Sequence, residues 1–160
     1  AFHQWIEDRY GSNAILDESE LPGHAETEEQ DFDKLKDAFL ASDWAEMTPT
    51  KIEQGFEFSL GSSVVRGRMD AVFDIGEYWM VIDWKTGRPP QGEQMRSAVI
   101  QLSVYREAWQ RISGTDKPVR AAFHYIMDNY TFEPSQLPDA GELATMLERD
   151  AYSESTSDER

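Results

Sequence analysis

Asp70 and Asp83, each a lone acid in an otherwise apolar run, and Lys85, two residues beyond Asp83, are the side chains of this 160-residue chain best placed to do chemistry. A carboxylate inside a half-buried strand is costly unless it is paired or bound to a cation. Two such carboxylates with an ammonium beside them suggest a divalent-cation site. A plainer reading stays open at this level. Both acids could lie on the wet face of a surface hairpin, with Lys85 as a counter-ion that contributes little. Further along, Gln101 and Tyr105 stand four residues apart in a helical stretch and so share a face.

The elements that must position these groups follow from hydrophobic period and turn chemistry. Residues 63–75 and 78–85 are rich in Val, Ile, Phe and Trp and are joined at Gly76-Glu77, the pattern of a hairpin. Strand alternation puts Asp83 and Lys85 on one face and Trp84 on the other. Thr86-Gly87-Arg88-Pro89-Pro90 stops the second strand. Residues 52–60 form a preceding strand, turned at Gly61-Ser62. Glu53 and Glu57 read as the wet face of that edge strand rather than as metal ligands. A helix over 93–112 carries Val99, Leu102, Tyr105, Arg106 and Trp109 near one stripe, and Gly114 ends it.

Flanking segments complete the order. Phe2 to Tyr10 has helical spacing, and His3 beside its apolar stripe reads by itself as a helix-surface histidine. Residues 11–31, broken by Pro22-Gly23, form a loop in which His24 is solvated. Residues 32–40 resume a helix. A strand over 119–127 holds His124 as a core or edge histidine with its hydrogen bonds satisfied, and 130–133 pairs with it across Asp128-Asn129. Residues 137–152 form a last amphipathic helix, and 153–160 an acidic, disordered tail. The expected fold is α/β: a three-strand antiparallel meander, a crossover helix and further strands in one mixed sheet flanked by helices, as a single domain over 1–152.

Composition narrows the function classes. The net charge is −16, from 15 basic and 31 acidic side chains, but it is unevenly placed. Residues 1–62 carry −11, residues 63–125 carry +2 and residues 126–160 carry −7. Unaided duplex binding rests on phosphate contacts, so a nucleic-acid substrate would have to meet the central block. Absence of cysteine excludes disulfides and thiolate-held iron–sulfur clusters. No apolar run approaches a membrane span, so a cytoplasmic protein without membrane partners is expected. The chain opens at Ala1 inside a helix-like FHQWIEDRY, as expected of a piece of a longer protein.

Gly67-Arg68-Met69-Asp70, then Asp83-Trp84-Lys85-Thr86-Gly87, then Gln101-Leu102-Ser103-Val104-Tyr105 resemble, in order, the G-R-x-D, D-x-K-T-G and Q-L-x-x-Y blocks of RecB-family nuclease domains in the PD-(D/E)xK superfamily. The opening Phe2-His3-Gln4-Trp5 is similar to the family's first motif, which would begin just upstream of Ala1. The resemblance covers nearly the whole chain, and is strongest to domains at the C-termini of actinobacterial UvrD/Rep-like helicases. It implies a restriction-endonuclease-like fold and a metal-dependent deoxyribonuclease, an exonuclease, serving DNA repair or recombination as the nuclease module of a larger helicase–nuclease. Single-stranded DNA and helicase domains are the partners it implies.

The same resemblance implies that Asp70, Asp83, His3 and the Trp84 carbonyl hold Mg²⁺ or Mn²⁺. Lys85 would orient the attacking water and offset charge on phosphorus, a role preferred to that of base because its carboxylate neighbours keep it protonated. Gln101 and Tyr105 would hold Lys85 or the scissile strand, and Arg68 would grip a phosphate or form a structural ion pair. Two other readings compete: a catalytically inactive domain that grips a DNA strand or braces a helicase, and an acidic interaction module with structural Ca²⁺. Intact Asp70, Asp83 and Lys85 weigh against both.

Overall fold

The computed structural model describes residues 2–11 and 26–158, and the side chains of 2–10 and 31–150. His24 and most of the expected loop lie outside the described residues. Among the described residues the α-helices and strands follow in the order α1 (Phe2–Gly11), α2 (Glu26–Leu40), β1 (Lys51–Leu60), β2 (Ser63–Asp74), β3 (Trp79–Lys85), α3 (Gln94–Ser113), β4 (Val119–Tyr125), β5 (Tyr130–Phe132) and α4 (Ala140–Asp158), with a 3₁₀ turn over Asp43–Glu46. One five-stranded sheet has the spatial order β1-β2-β3-β4-β5. The first three strands are antiparallel neighbours, β4 runs parallel to β3 after the α3 crossover, and β5 returns antiparallel to β4. The expected meander, crossover helix and mixed sheet are all present.

Local chemistry accounts for the turns. Gly61 at φ +59 and Gly76 at φ +104 supply the left-handed geometry that tight reversals require. The Asp74 carboxylate accepts the Gly76 amide at 2.9 Å, and Gly114 at φ +59 ends α3 by donating to Gln110 O.

Three helix boundaries differ from expectation: α4 opens at Ala140 rather than 137, where Asp139 accepts from the Glu142 amide, and two others shift as follows. Residues 26–31, assigned to the loop, begin α2, because nothing after Pro22-Gly23 breaks a helix and acids near an N-terminus suit its dipole. Residues 153–158, assigned to the disordered tail, continue α4, since no Gly or Pro follows Gly141.

Helices cover both faces of the sheet. Val72 and Val81 of the central strands and Phe123 of β4 pack under Leu102, Ala108 and Trp109 of α3. On the opposite face Ala71, Phe73, Ile82 and Trp84 pack against Phe2 and Ile6 of α1 and Phe39 of α2. The alternation predicted for β3 therefore holds, with Trp84 on the α1–α2 face. On β2 it breaks: Met69 belongs to the α3 side and Ala71 to the α1–α2 side, although they are two residues apart. The switch falls at Asp70. Opposite it on β1, Glu53 sits at φ +48 and is missing from an otherwise continuous register between Ile52↔Ala71 and Gln54↔Met69. This is a local bulge-like distortion of the kind that re-aims a side chain.

His124 is buried, with Nδ1 2.9 Å from Thr131 Oγ1, but among the described residues Nε2 has no partner, so the histidine is only half satisfied. Burial pushes its pKa down to about 4. Below its ordinary value of 6.5 the unfolded chain therefore binds a proton that the folded chain refuses, and stability falls with pH through that window. The expected loss from this residue is about 3 kcal/mol at pH 4 relative to neutral pH. Urea unfolding across pH 4–7 should show that slope, and His124→Leu should flatten it.

Candidate active site

The parting of β2 from β3 creates the site. Their ladder runs from Asp74↔Trp79 to Ala71↔Ile82 and stops. Strand geometry turns the N–H and C=O of Trp84 toward β2, as it does those of Ile82, but no β2 backbone group meets them. The Trp84 amide instead donates to Asp70 Oδ2 at 2.8 Å. The Trp84 carbonyl accepts from His3 Nε2 at 2.7 Å, and the same nitrogen lies 3.7 Å from Asp70 Oδ2. His3 reaches this point because Phe2 and Ile6, on either side of it, are buried against the sheet. The Trp84 ring stacks on Tyr10 and meets Phe39 edge-on, which fixes the backbone carrying both hydrogen bonds.

Asp83 is buried at 7% exposure, next to Asp70, and the two carboxyl groups share a hydrogen bond. Burial, followed by that hydrogen bond and the Asp83 charge, pushes Asp70 up to about 8, with the Trp84 amide opposing and Glu53 adding to the shift. Lys85 places Nζ 3.0 Å from Asp83 Oδ2 and 4.6 Å from the centre of the Phe123 ring. Phe123 lies beneath it because β4 pairs with β3 in the register Asp83↔Phe123 and Lys85↔Tyr125.

Gln101 Nε2 donates to the Tyr105 hydroxyl at 2.7 Å. Among the described residues neither of the two hydrogen-bonds Lys85. Burial and the Asp83 charge push the Tyr105 phenol up, so it stays a neutral donor facing the acids. Arg68 lies at the rim, 66% exposed, with Nη1 3.5 Å from Glu53 Oε2.

The sequence-predicted groups thus fall into one neighbourhood of His3, Asp70, Asp83, the Trp84 carbonyl and Lys85, with Gln101 and Tyr105 beside it. Three residues were not legible as neighbours of it. Glu53, read as the wet face of an edge strand, helps to raise both Asp70 and Glu7, which lies one turn beyond His3. Phe123 has no spacing signal at all, since its place depends on a parallel pairing across the crossover.

The donor set consists of two carboxylates, a carbonyl and an imidazole, the chemistry that Mg²⁺ or Mn²⁺ accepts. The separations of His3 Nε2 from the Trp84 carbonyl and from Asp70 Oδ2, 2.7 and 3.7 Å, bracket the roughly 3 Å between neighbouring donors on an octahedral ion with bonds of about 2.1 Å. The raised Asp70 pKa is the mark of a buried acid pair that a cation would relieve. Among the described residues no three His, Asp or Glu side chains close around one point. The backbone carbonyl is therefore needed to complete the set.

This arrangement agrees with comparisons to known proteins. A family model described as the PD-(D/E)XK nuclease superfamily matches residues 1–159, and the chain belongs to that superfamily. Its members generally use divalent metals. A crystal structure at 2.19 Å resolution of a "putative exonuclease" from Eubacterium rectale is similar, with a TM-score of 0.54 at 10% sequence identity. The match covers 91% of this chain and 61% of that one, so this chain spans less than two thirds of that protein. At this identity the likeness bears on the fold, which is the restriction-endonuclease-like arrangement expected. No curated protein matches the chain in sequence. Among the described residues no helix is long and apolar enough to cross a membrane.

The acid pair makes a stability prediction in chelator. Folded Asp70 holds its proton up to about pH 8, whereas the unfolded side chain releases it near 3.8. Stability from this group is therefore complete below the lower value and is lost as pH rises through the upper one. Thermal unfolding in EDTA should show wild type weakening from pH 5 to 8. Asp70→Asn, which can still accept the Trp84 amide, should be flatter and melt higher at pH 8.

Proposed function

We propose that the chain is a RecB-type nuclease domain that hydrolyses phosphodiester bonds in DNA with Mg²⁺ or Mn²⁺, as the exonuclease module of a larger helicase–nuclease in repair or recombination. The observation that carries this reading is the meeting of His3 with the Trp84 carbonyl and Asp70, with Asp83 beside Asp70 and Lys85 against Asp83. The E. rectale protein is described as a "putative exonuclease". Together with superfamily membership this favours a nuclease over an interaction module with structural Ca²⁺.

Asp70, Asp83, His3 and the Trp84 carbonyl would hold the cation. When bound, it supplies Lewis-acid polarisation of the phosphate and an acidified water. Lys85, ion-paired to Asp83 and seated over Phe123, orients the nucleophilic water and offsets charge that builds on the phosphoryl oxygens. Tyr105 accepts from Gln101, so its own proton is free to be donated to a phosphate oxygen. Gln101 is then a positioning residue. Arg68 steers the strand at the rim and relaxes the ion pair with Glu53 when a phosphate arrives. A non-cutting, strand-gripping domain is the second reading, favoured by the lack of a closed three-side-chain cage among the described residues.

Cleavage of labelled oligodeoxynucleotides in Mg²⁺ or Mn²⁺ separates the two. Wild type is expected to cut and EDTA to stop it. Asp83→Ala and Lys85→Ala should each lower the rate by about 10²–10³-fold or more while unfolding cooperatively. Retained metal-dependent cleavage by either variant would refute the assignment. DNA binding by the isolated chain should be weak and fall steeply with salt, because only residues 63–125 carry a net positive charge.

A further inference from the structure

Lys85 is the last residue of β3. Its backbone is held, since its carbonyl accepts the Ile126 amide at 2.9 Å. The side chain is freer: a flexible stem carries the ammonium, and 33% of it is exposed. Among the described residues Nζ meets two groups, the Asp83 carboxylate at 3.0 Å and the Phe123 ring, 4.6 Å from its centre. These two holders are not equivalent. Asp83 is one of the carboxylates that would hold the cation. A carboxylate engaged by a divalent ion attracts a neighbouring ammonium less, and the ion itself repels it. The ion pair therefore weakens in the state in which Lys85 has to act.

Phe123 has no second duty. It is neutral, and the electron-rich face of its ring attracts an ammonium whether or not the carboxylates are engaged. The ring is also fixed. Phe123 is 2% exposed, packs in the core with Leu102 of α3 and meets Tyr125 edge-on. The register Asp83↔Phe123 sets it on the face that carries Asp83 and Lys85. The other cations seated on rings among the described residues, Lys36, Arg111, Lys117 and Arg120, all use rings that are partly exposed. Desolvation strengthens such a contact, and the Lys85 seat is the buried one.

We propose that Phe123 is a positioning residue for Lys85, its ring face keeping the ammonium beside the acids when Asp83 is engaged by the cation. The inference rests on the nuclease reading and deepens it, by adding a residue that acts only through Lys85. An aliphatic side chain would fill much of the same space without holding the charge. The ring and the carboxylate thus divide the work: Asp83 seats the ammonium in the empty site, and Phe123 retains it in the occupied one.

The test uses the 160-residue chain with Phe123 replaced site-specifically by mono-, di- and trifluorinated phenylalanine, and with Phe123→Leu. Fluorine drains electron density from the ring face while nearly keeping its shape, so a packing role and a charge role separate. The Lys85 side-chain protons, assigned with Lys85→Arg, are followed by NMR in EDTA and in Mg²⁺. Cleavage of a labelled oligodeoxynucleotide is followed in Mg²⁺. Wild type is expected to show an upfield ring-current shift at Lys85 that survives the addition of Mg²⁺. Each added fluorine should lower kcat further, to about tenfold in the trifluorinated chain, with KM and melting temperature unchanged. Phe123→Leu should lose the ring-current shift and a similar share of kcat. A wild-type shift that vanishes in Mg²⁺ overturns the proposal, because the ammonium then leaves the ring when the site is occupied. A kcat indifferent to fluorine count overturns it as well, by leaving Phe123 a packing residue. Both results spare the nuclease reading, whereas a wild type that cuts no DNA removes the two together.

Discussion

The hydrogen bond from the Trp84 amide to the Asp70 carboxylate is the contact on which the site depends. Had β2 and β3 stayed paired for one more rung, the amide and carbonyl of Trp84 would have been consumed by the backbone of Met69. Asp70 would then have no reason to turn into the gap, and His3 would find no free carbonyl. Because the ladder stops at Ala71↔Ile82, a side chain takes over from a strand. Buried backbone groups left without a strand partner must find another one. Here the partners are a carboxylate and an imidazole.

The surroundings stiffen that substitution. Trp84 is held between Tyr10 and Phe39, and the Tyr10 hydroxyl is tied to Trp44 O at 2.6 Å. On the other side of the sheet Gly67 lies under the Phe56 ring so closely that an added Cβ would sit 2.7 Å from Cζ. Phe56 in turn meets Tyr105 edge-on. The glycine of the G-R-x-D block thus has a packing reason that reaches the phenol beside the acids. Burying two adjacent carboxyl groups has an electrostatic cost that the Trp84 amide only partly offsets. A rigid frame around groups that repel one another is what a preorganised cation site requires.

Much of this frame was legible because it is local. The turns at Gly61-Ser62 and Gly76-Glu77, the period of two that sets Asp83 and Lys85 on one face, and the four-residue spacing of Gln101 and Tyr105 all follow from short-range rules. The ordered motif blocks placed the candidate residues before their geometry was known. Other features resist such reading. Glu53 at positive φ and the switch of face between Met69 and Ala71 arise where two strands are bent by tertiary packing, and period-two reasoning assumes no such bend. Gln101 and Tyr105, expected to hold Lys85 or the strand, hydrogen-bond each other and not Lys85 among the described residues, because side-chain pairing within a turn of helix competes with longer reaches. Phe123 under Lys85 reflects a parallel register, which no turn encodes.

That parallel pairing bears on how the molecule assembles. The acids come together within a contiguous meander, whereas the aromatic seat of the lysine arrives only after the twenty residues of α3 have crossed the sheet and β4 has docked. Contacts so distant along the chain carry a loop-closure cost and form late. A chain emerging from the ribosome would therefore hold its two acids in place some time before its ammonium is seated. On the proposed nuclease function, hydrolytic competence belongs to the finished fold and is withheld from any partially made one.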